Sequence, residues 1–177
     1  MAPKILLALD GSDHAEKALD QAILLARSSG GELRILSVVS NQALSEAEQR
    51  LAETEYAVEV DSAMRSYEAA AEAPEIRAGL GSLVQSSHAV GATVRRVLGQ
   101  EIVAEAAELA RSKGVTKVST AVEHGDAASV IIREAGAQGA ELVVLGSRGL
   151  GDIAGLLLGS VSHKVAHGAG CSVLIVR

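Results

Sequence analysis

The chain has 177 residues, of which 48% are hydrophobic, and it carries a net charge of −6 at pH 7. This length suffices for one well-buried domain and is too short for two ordinary ones. The negative charge argues against a nucleic-acid or anionic-membrane surface, because both need clustered Lys and Arg. We therefore expect residues 1–177 to form a single domain that binds no nucleic acid and inserts into no membrane.

Aromatic residues are nearly absent, with no Trp or Phe and two Tyr. The core must therefore be built from Ala, Val, Leu and Ile, and a bound base would be held by aliphatic walls and backbone. The lone Cys171 excludes an intramolecular disulfide and fits a reducing compartment. Because the chain enters its first strand without a signal-type segment, we expect a cytoplasmic protein.

The first forty residues predict a β-α-β unit. Ile5–Leu9 is a continuous apolar run typical of a strand buried on both faces. Small and apolar residues then recur at helical spacing between a cap at Ser12 or Asp13 and a stop at Gly30-Gly31. Leu33–Val39 follows as a second strand, which implies a parallel pair with a right-handed crossover.

The alternation resumes in the second half of the chain. Apolar periodicity predicts three helices and three strands, namely Ile102–Arg111, Lys117–Val122, Ala127–Ala137, Leu142–Leu145, Ser160–His167 and Cys171–Val176. Strands that alternate with helices in this way indicate an α/β fold, a doubly wound five-stranded parallel sheet with helices on both faces.

A long helical insertion at about residues 41–99 interrupts this pattern. Ser45-x-x-Glu48 forms a capping box, and the run that follows favours helix until Pro74. The stretch Gly79–Gly99 mixes Gly, Ser and Ala with scattered apolar residues and receives no assignment. A lid, a partner-binding arm and a helical excursion packed on the sheet edge or on another subunit are all compatible with it.

A glycine pattern follows the fourth predicted strand. It reads Gly146-x-x-Gly149, nine further residues, then Gly159-Ser160. Ligands of doubly wound sheets bind beyond the carboxyl ends of the strands, where Asp10 also lies. Amides of the glycine loop and of the next helix, with the hydroxyls of Ser160 and Ser162, could cradle phosphate. A flexible loop followed by an ordinary serine cap is the alternative.

Other motifs have little support. Gly149-x-Gly151-x-x-Ala154 matches a dinucleotide fingerprint but lacks the acidic residue expected about twenty positions later. No Walker-type P-loop and no G-x-S-x-G elbow occur in the sequence. His163 and His167 are spaced for a metal on one helix face, but no third ligand is near them in sequence.

The glycine pattern resembles that of the universal stress protein family, in its ATP-binding branch. Three further passages are similar to the same family: Lys4–Ser12, Leu36–Val39 and Ala140–Gly149. The resemblance covers roughly residues 3–40 and 100–177. It implies the strand order 3-2-1-4-5, with adenine near the first two strands and the phosphates on the glycine loop.

The resemblance also implies roles for individual residues. Asp10 corresponds to the acidic residue near the ribose and the metal, and Val38 to the residue whose backbone holds adenine. The phosphate-loop set and its polar neighbour correspond to Gly146, Gly149, Gly159, Ser160, Val161 and Ser162. Arg148 lies inside this loop and either donates to phosphate or points to solvent. Asp10 either binds Mg²⁺ together with phosphate oxygens or ends its strand and caps the next helix.

These observations predict a regulatory stress-response module that binds ATP, ADP or AMP, with Mg²⁺, and has little or no turnover. A slow ATPase or adenylating enzyme of the same α/β superfamily is the alternative, and a structural module that has lost nucleotide binding is a third. The last strand, Cys171–Val176, should be an edge strand that pairs in a homodimer. Regulation also implies a protein partner that the sequence does not identify.

Overall fold

The computed structural model describes residues 2–40, 45–71, 83–150 and 158–177. Within these ranges the chain forms five strands and six helices. In chain order they are β1 (Lys4–Leu9), α1 (Asp13–Ser29), β2 (Glu32–Val39), α2 (Glu46–Thr54), α3 (Ala57–Ala71), α4 (Leu83–Ser112), β3 (Lys117–His124), α5 (Ala127–Gln138), β4 (Leu142–Gly146), α6 (Ser160–Gly168) and β5 (Ser172–Val176).

The five strands form one parallel sheet in the order β3-β2-β1-β4-β5, which confirms the predicted class and strand order. The central strand β1 pairs with β2 on one side and β4 on the other, so that Ile5 aligns with Leu33 and with Leu142. The winding direction therefore reverses at β1, which creates the crevice where doubly wound folds bind ligands.

Helices cover both faces of the sheet. Alternate residues of β1 point to opposite faces, with Leu7 in the core beneath α1 and α4 and Leu6 in the core beneath α5 and α6. Both side chains are at most 1% exposed. A strand buried on both sides accounts for the continuous apolar run that predicted it. None of the helices in the described ranges combines the length and the apolar character of a transmembrane span.

The predicted boundaries of α1 are confirmed. The Ser12 hydroxyl accepts a hydrogen bond from the amide of Ala15, and Gly30 ends the helix at φ +64°. This left-handed conformation favours glycine. The Ser12 cap fixes the direction in which the chain leaves β1, and this determines where Asp10 lies.

The described part of the middle segment, residues 41–99, is mostly helical. α2 begins at the predicted capping box, but a break at Glu55 and Tyr56 divides the expected single helix into α2 and α3. The stretch that received no assignment belongs largely to α4, a helix of 30 residues that also contains the predicted helix Ile102–Arg111. Residues 41–44 and 72–82, including Pro74, lie outside the described residues.

The low helix propensity of glycine explains why the sequence did not predict the first part of α4. Gly99 lowers helix propensity in isolation. In the fold, a Cβ at Gly99 would lie 3.2 Å from Val122 Cγ1 and 3.3 Å from Ser37 Oγ. Its missing side chain thus lets α4 pack closely against β2 and β3, and the packing outweighs the local preference.

Candidate functional site

A cleft of about 420 Å³ lies at the carboxyl ends of β1, β2 and β4. β1 lies between the other two strands, so the cleft coincides with the reversal of winding. The ends of the three strands form its base, and the starts of α5 and α6 line it together with residues of α2 and α4.

The structure brings together all nine residues that the sequence predicted for a binding site. They come from the ends of β1 and β2, the glycine loop and the start of α6, and all of them line the cleft: Asp10, Val38, Gly146, Arg148, Gly149, Gly159, Ser160, Val161 and Ser162. The parallel topology produces this convergence, because it places the carboxyl ends of neighbouring strands at one edge of the sheet.

Asp10 links the end of β1 to the glycine loop. Its Oδ1 accepts hydrogen bonds from the Ser12 amide at 3.1 Å and the Ser12 hydroxyl at 2.7 Å. Its Oδ2 accepts one from the Leu150 amide at 3.1 Å. A carboxylate offers about four acceptor positions, so the protein itself uses three of them. Asp10 therefore shapes the loop, in addition to any role toward a ligand.

The two loop glycines are required by close packing. A Cβ on Gly146 would lie 2.8 Å from the backbone carbonyl carbon of His14, at the start of α1. A Cβ on Gly149 would collide with Oδ2 of Asp10. Both glycines thus allow backbone approaches within the protein that any larger residue would block.

The start of α6 presents backbone amides to the cleft. Its cap is Gly159, which has no side chain to accept hydrogen bonds from the first turn. The first amides of a helix lack intrahelical acceptors and carry the positive end of the helix dipole. Ser160 is exposed, and no acidic residue lies in the first turn. This end of the cleft can therefore receive an anion.

Ser162 has a structural role. Its side chain is buried, and its hydroxyl donates a 2.8 Å hydrogen bond to the carbonyl oxygen of Gly146. The Gly159 amide likewise donates to the Ser147 carbonyl at 2.7 Å. These two bonds fix α6 against the end of β4. The hydroxyl hydrogen of Ser162 is thereby directed to the protein and away from a ligand.

Arg148 is half-buried and lines the cleft, and its carbonyl oxygen lies 3.4 Å from the Ser12 hydroxyl oxygen, whose one hydrogen is donated to Asp10 at 2.7 Å. The cap of α1 is thus connected to the glycine loop through Asp10, which accepts from Ser12 on one oxygen and from Leu150 on the other. The loop is anchored to β1 and α1 by its backbone, whichever way the guanidinium interacts.

The middle segment supplies lining residues that sequence reasoning missed. Glu48 and Arg95 form a two-pronged ion pair, with Nε to Oε1 at 2.7 Å and Nη2 to Oε2 at 2.9 Å. Nη1 of Arg95 also donates to the carbonyl oxygen of Ser40, just after β2, at 3.4 Å. The Arg95 side chain is 5% exposed. The capping box signalled Glu48, but nothing in the unassigned stretch distinguished Arg95.

Electrostatic interactions favour the charged form of Glu48. Burial acts to raise the pKa of this carboxyl, but hydrogen bonds from Arg95 and Ser45 outweigh it and hold the pKa below its ordinary value. Glu48 Oε2 also accepts a 2.7 Å bond from the Ser45 amide and so completes the capping box of α2.

A preformed metal cluster is absent from the described residues, where no group of three His, Cys, Asp or Glu side chains could hold an ion. His163 and His167 have ring centroids 4.7 Å apart on the exposed side of α6. Mg²⁺ commonly binds through one or two carboxylates together with phosphate oxygens. The Asp10 carboxylate fits such a shared site when a phosphorylated ligand supplies the remaining oxygens.

Fold and cleft together define a doubly wound α/β protein with a ligand crevice at its topological switch point. The sequence matches the model of the universal stress protein family over residues 1–177. The chain belongs to this family.

Individual relatives agree with this assignment. The chain is 34% identical over 179 residues to the universal stress protein YxiE of Bacillus subtilis (strain 168), with 100% of each chain covered. It resembles a universal stress protein solved in complex with cAMP, with 26% identity, a TM-score of 0.59, and coverage of 99% of this chain and 97% of that one. It shares its fold with the Archaeoglobus fulgidus universal stress protein solved in complex with dAMP, with 16% identity, a TM-score of 0.58, and coverage of 100% and 98%.

Proposed function

We propose that the cleft binds an adenine nucleotide, ATP foremost, and that the protein acts as a cytoplasmic stress-response module regulated by this ligand. The observation that carries the proposal is the convergence of Asp10, Val38, the glycine loop and the start of α6 on one cleft of about 420 Å³. Two universal stress proteins of similar fold were solved in complex with adenine mononucleotides, cAMP and dAMP.

The cleft has two chemically different ends, and they suit the two ends of a nucleotide. The start of α6 offers amides and a positive dipole end to phosphate. The opposite side of the cleft is lined by aliphatic side chains of β2 and α4, including Val39, Leu98 and Ile102. In the absence of Trp and Phe, these aliphatic surfaces and the Val38 backbone would hold the base.

The charged groups of the cleft favour binding over turnover. Among the described lining residues, Asp10 and Glu48 carry the carboxylates, and no His, Cys or Lys takes part. Asp10 accepts three hydrogen bonds from the protein, and Glu48 is paired with Arg95. Neither is set up as a general base beside a water. We propose that Mg²⁺ binds jointly to Asp10 and the phosphates, and that hydrolysis is slow.

The C-terminal strand supports a proposal of self-association. β5 pairs with β4 on one side and forms an end of the sheet, with Val173 to Val176 half-buried. Unpaired backbone groups along such an edge can join a second copy of the strand. We propose a homodimer through this edge, and a protein partner that recognises the nucleotide-loaded form.

A charge test at the cap of α6 examines the proposed phosphate site. Gly159→Asp places a carboxylate where the ligand phosphate would lie, whereas Gly159→Asn adds a neutral side chain of the same shape. We expect calorimetric ATP affinity to fall at least about tenfold further in the Asp variant than in the Asn variant, because like charges compete for one dipole end. Equal affinities would place the phosphates elsewhere.

Native mass spectrometry of freshly purified protein complements this test. It reports a retained nucleotide and the number of subunits in one measurement. Release of inorganic phosphate or pyrophosphate at rates typical of enzymes, roughly 1 s⁻¹ or more, would contradict the regulatory role and identify an ATP-consuming enzyme instead.

A further inference from the structure

Helices α2 and α4 contribute apolar side chains to one side of the cleft. α2 contributes Leu51, and α4 contributes Leu98 and Ile102. These side chains form a small hydrophobic cluster with Ala52 and Tyr56. The cluster continues to the end of β1, because a Cβ on Gly11 would lie 3.0 Å from both Leu51 Cδ2 and Ile102 Cδ1. The aliphatic surface is therefore packed against the sheet at its carboxyl edge.

The Glu48–Arg95 ion pair fixes this surface in place. Arg95 lies on α4 and Glu48 on α2, and both line the cleft. Through Nη1, Arg95 also reaches the Ser40 carbonyl at the end of β2. Two planar groups joined by two parallel hydrogen bonds have a defined orientation. The pair therefore sets the position of both helices relative to the strand whose Val38 lines the same cleft.

The surface lies at the opposite end of the cleft from the anion-attracting helix start. β2 and β4 lie on either side of β1, so their ends are separated by about 10 Å, twice the spacing of neighbouring strands. The α6 amides stand beyond β4, whereas α4 packs on β2 and β3 at Gly99, and the aliphatic surface extends from there to Gly11 at the end of β1. A ligand with one anionic and one apolar end therefore has a preferred orientation.

We propose that Leu51, Leu98 and Ile102 form the nucleobase wall of the cleft, and that Glu48 and Arg95 are positioning residues that hold this wall across the base. The inference rests on the proposed nucleotide function and assigns α2 and α4 to that site. These two helices then contribute affinity for the nucleoside part of a ligand and none for the phosphate part.

The test compares two probes in calorimetry, ATP and inorganic tripolyphosphate, which has the phosphates without the nucleoside. In Ile102→Ala, we expect the ATP dissociation constant to rise about tenfold, because apolar contact with the base is lost. The dissociation constant for tripolyphosphate should stay within about twofold of wild type, a free-energy change within experimental scatter.

Variants of the ion pair test the positioning role. Arg95→Met and Glu48→Gln should each weaken ATP binding and leave tripolyphosphate binding unchanged. The double variant should be no worse than either single variant, because residues that act as a pair are not additive. The matched control is Arg96→Met, since Arg96 is the exposed neighbour of Arg95 and bonds Gln100 instead. This control should bind both probes as wild type does.

Each of four outcomes would contradict a part of the proposal. Equal losses of affinity for ATP and for tripolyphosphate would mean that the wall affects the phosphate site as well as the base. Unchanged ATP affinity in Ile102→Ala would remove the wall from the site. A loss in Ile102→Ala alone would remove the positioning role of the ion pair. If wild type binds neither probe, the proposed nucleotide function fails, and this result is distinct from the other three. Ile102→Ala leaves the ion pair intact, so the wall is testable even if Arg95→Met does not fold.

Discussion

The carboxylate of Asp10 accepts a hydrogen bond from the backbone amide of Leu150, 140 positions later in the chain, at 3.1 Å. This contact holds the end of β1 against the loop that follows β4, across the point where the winding of the sheet reverses. The residue expected to face the metal and ribose thus also determines the shape of the loop expected to face the phosphates.

Asp10→Ala separates these two roles. Loss of the anchor should weaken ATP binding in EDTA, because the loop amides are no longer held. Loss of a metal ligand should weaken it further in the presence of Mg²⁺. We therefore expect a larger loss of calorimetric affinity with Mg²⁺ than without it. Equal losses under both conditions would leave Asp10 as an anchor alone.

Gly146→Ala should destabilise the fold itself. Its Cβ would lie 2.8 Å from the backbone of His14, which cannot yield as a flexible side chain would. We expect the free energy of unfolding to fall by about 1–3 kcal/mol, the usual cost of overpacking, measured by denaturant titration. Gly136→Ala is the matched control, because a Cβ there meets nothing within 4 Å in the last turn of α5. This control should gain about 0.5–1 kcal/mol, and equal losses in both variants would contradict the packing argument.

The Glu48–Arg95 pair predicts a pH dependence. The folded-state pKa of Glu48 lies below its ordinary value of 4.5. The stabilisation is therefore complete above that value and is lost as the pH falls through the folded-state pKa. The stability difference between wild type and Glu48→Gln should be largest at neutral pH and shrink as the pH falls below 4.5. Comparison of the two proteins cancels the effects of other carboxyls with lowered pKa, such as Asp126. A stability difference that does not change with pH would contradict a lowered pKa for Glu48.

The proposed dimer can be tested on one backbone amide. Ser172 donates to Glu141 and Val176 accepts from Ser147, so the backbone groups of these alternate residues face β4. The amide of Val173 then faces outward. Val173→Pro removes this donor and should yield monomers in analytical ultracentrifugation. Val173→Ala keeps the amide and should remain dimeric. A dimer in both variants would locate the interface elsewhere.

The sheet was predictable because its signals are local. β1 has a continuous apolar run. α1 lies between Ser12, whose side chain caps its first turn, and Gly30, which ends it in a left-handed conformation. The strand order came from the family resemblance, and the pairing of β1 with β2 and β4 confirms it. Convergence of the candidate residues then followed from topology alone.

The wall formed by α2 and α4 was not predictable in the same way. Arg95 and Glu48 are 47 positions apart and meet only when α2 and α4 pack together. Gly99 lowers the helix propensity of its stretch in the sequence. In the fold a glycine is favoured there, because its backbone packs closely against Ser37 and Val122. Such information is tertiary, and no period or motif along the chain encodes it.

The collision of a Cβ at Gly149 with Asp10 changes how the glycine pattern should be used as a marker. A related chain that no longer binds nucleotide would still need small residues at the positions of Gly146 and Gly149, because the loop packs closely there. Presence of Gly146 and Gly149 is then a criterion of folding, and weighs little against a module that no longer binds. An open α6 start, with glycine at its cap and no acidic side chain in its first turn, is the better criterion for sorting binders from non-binders.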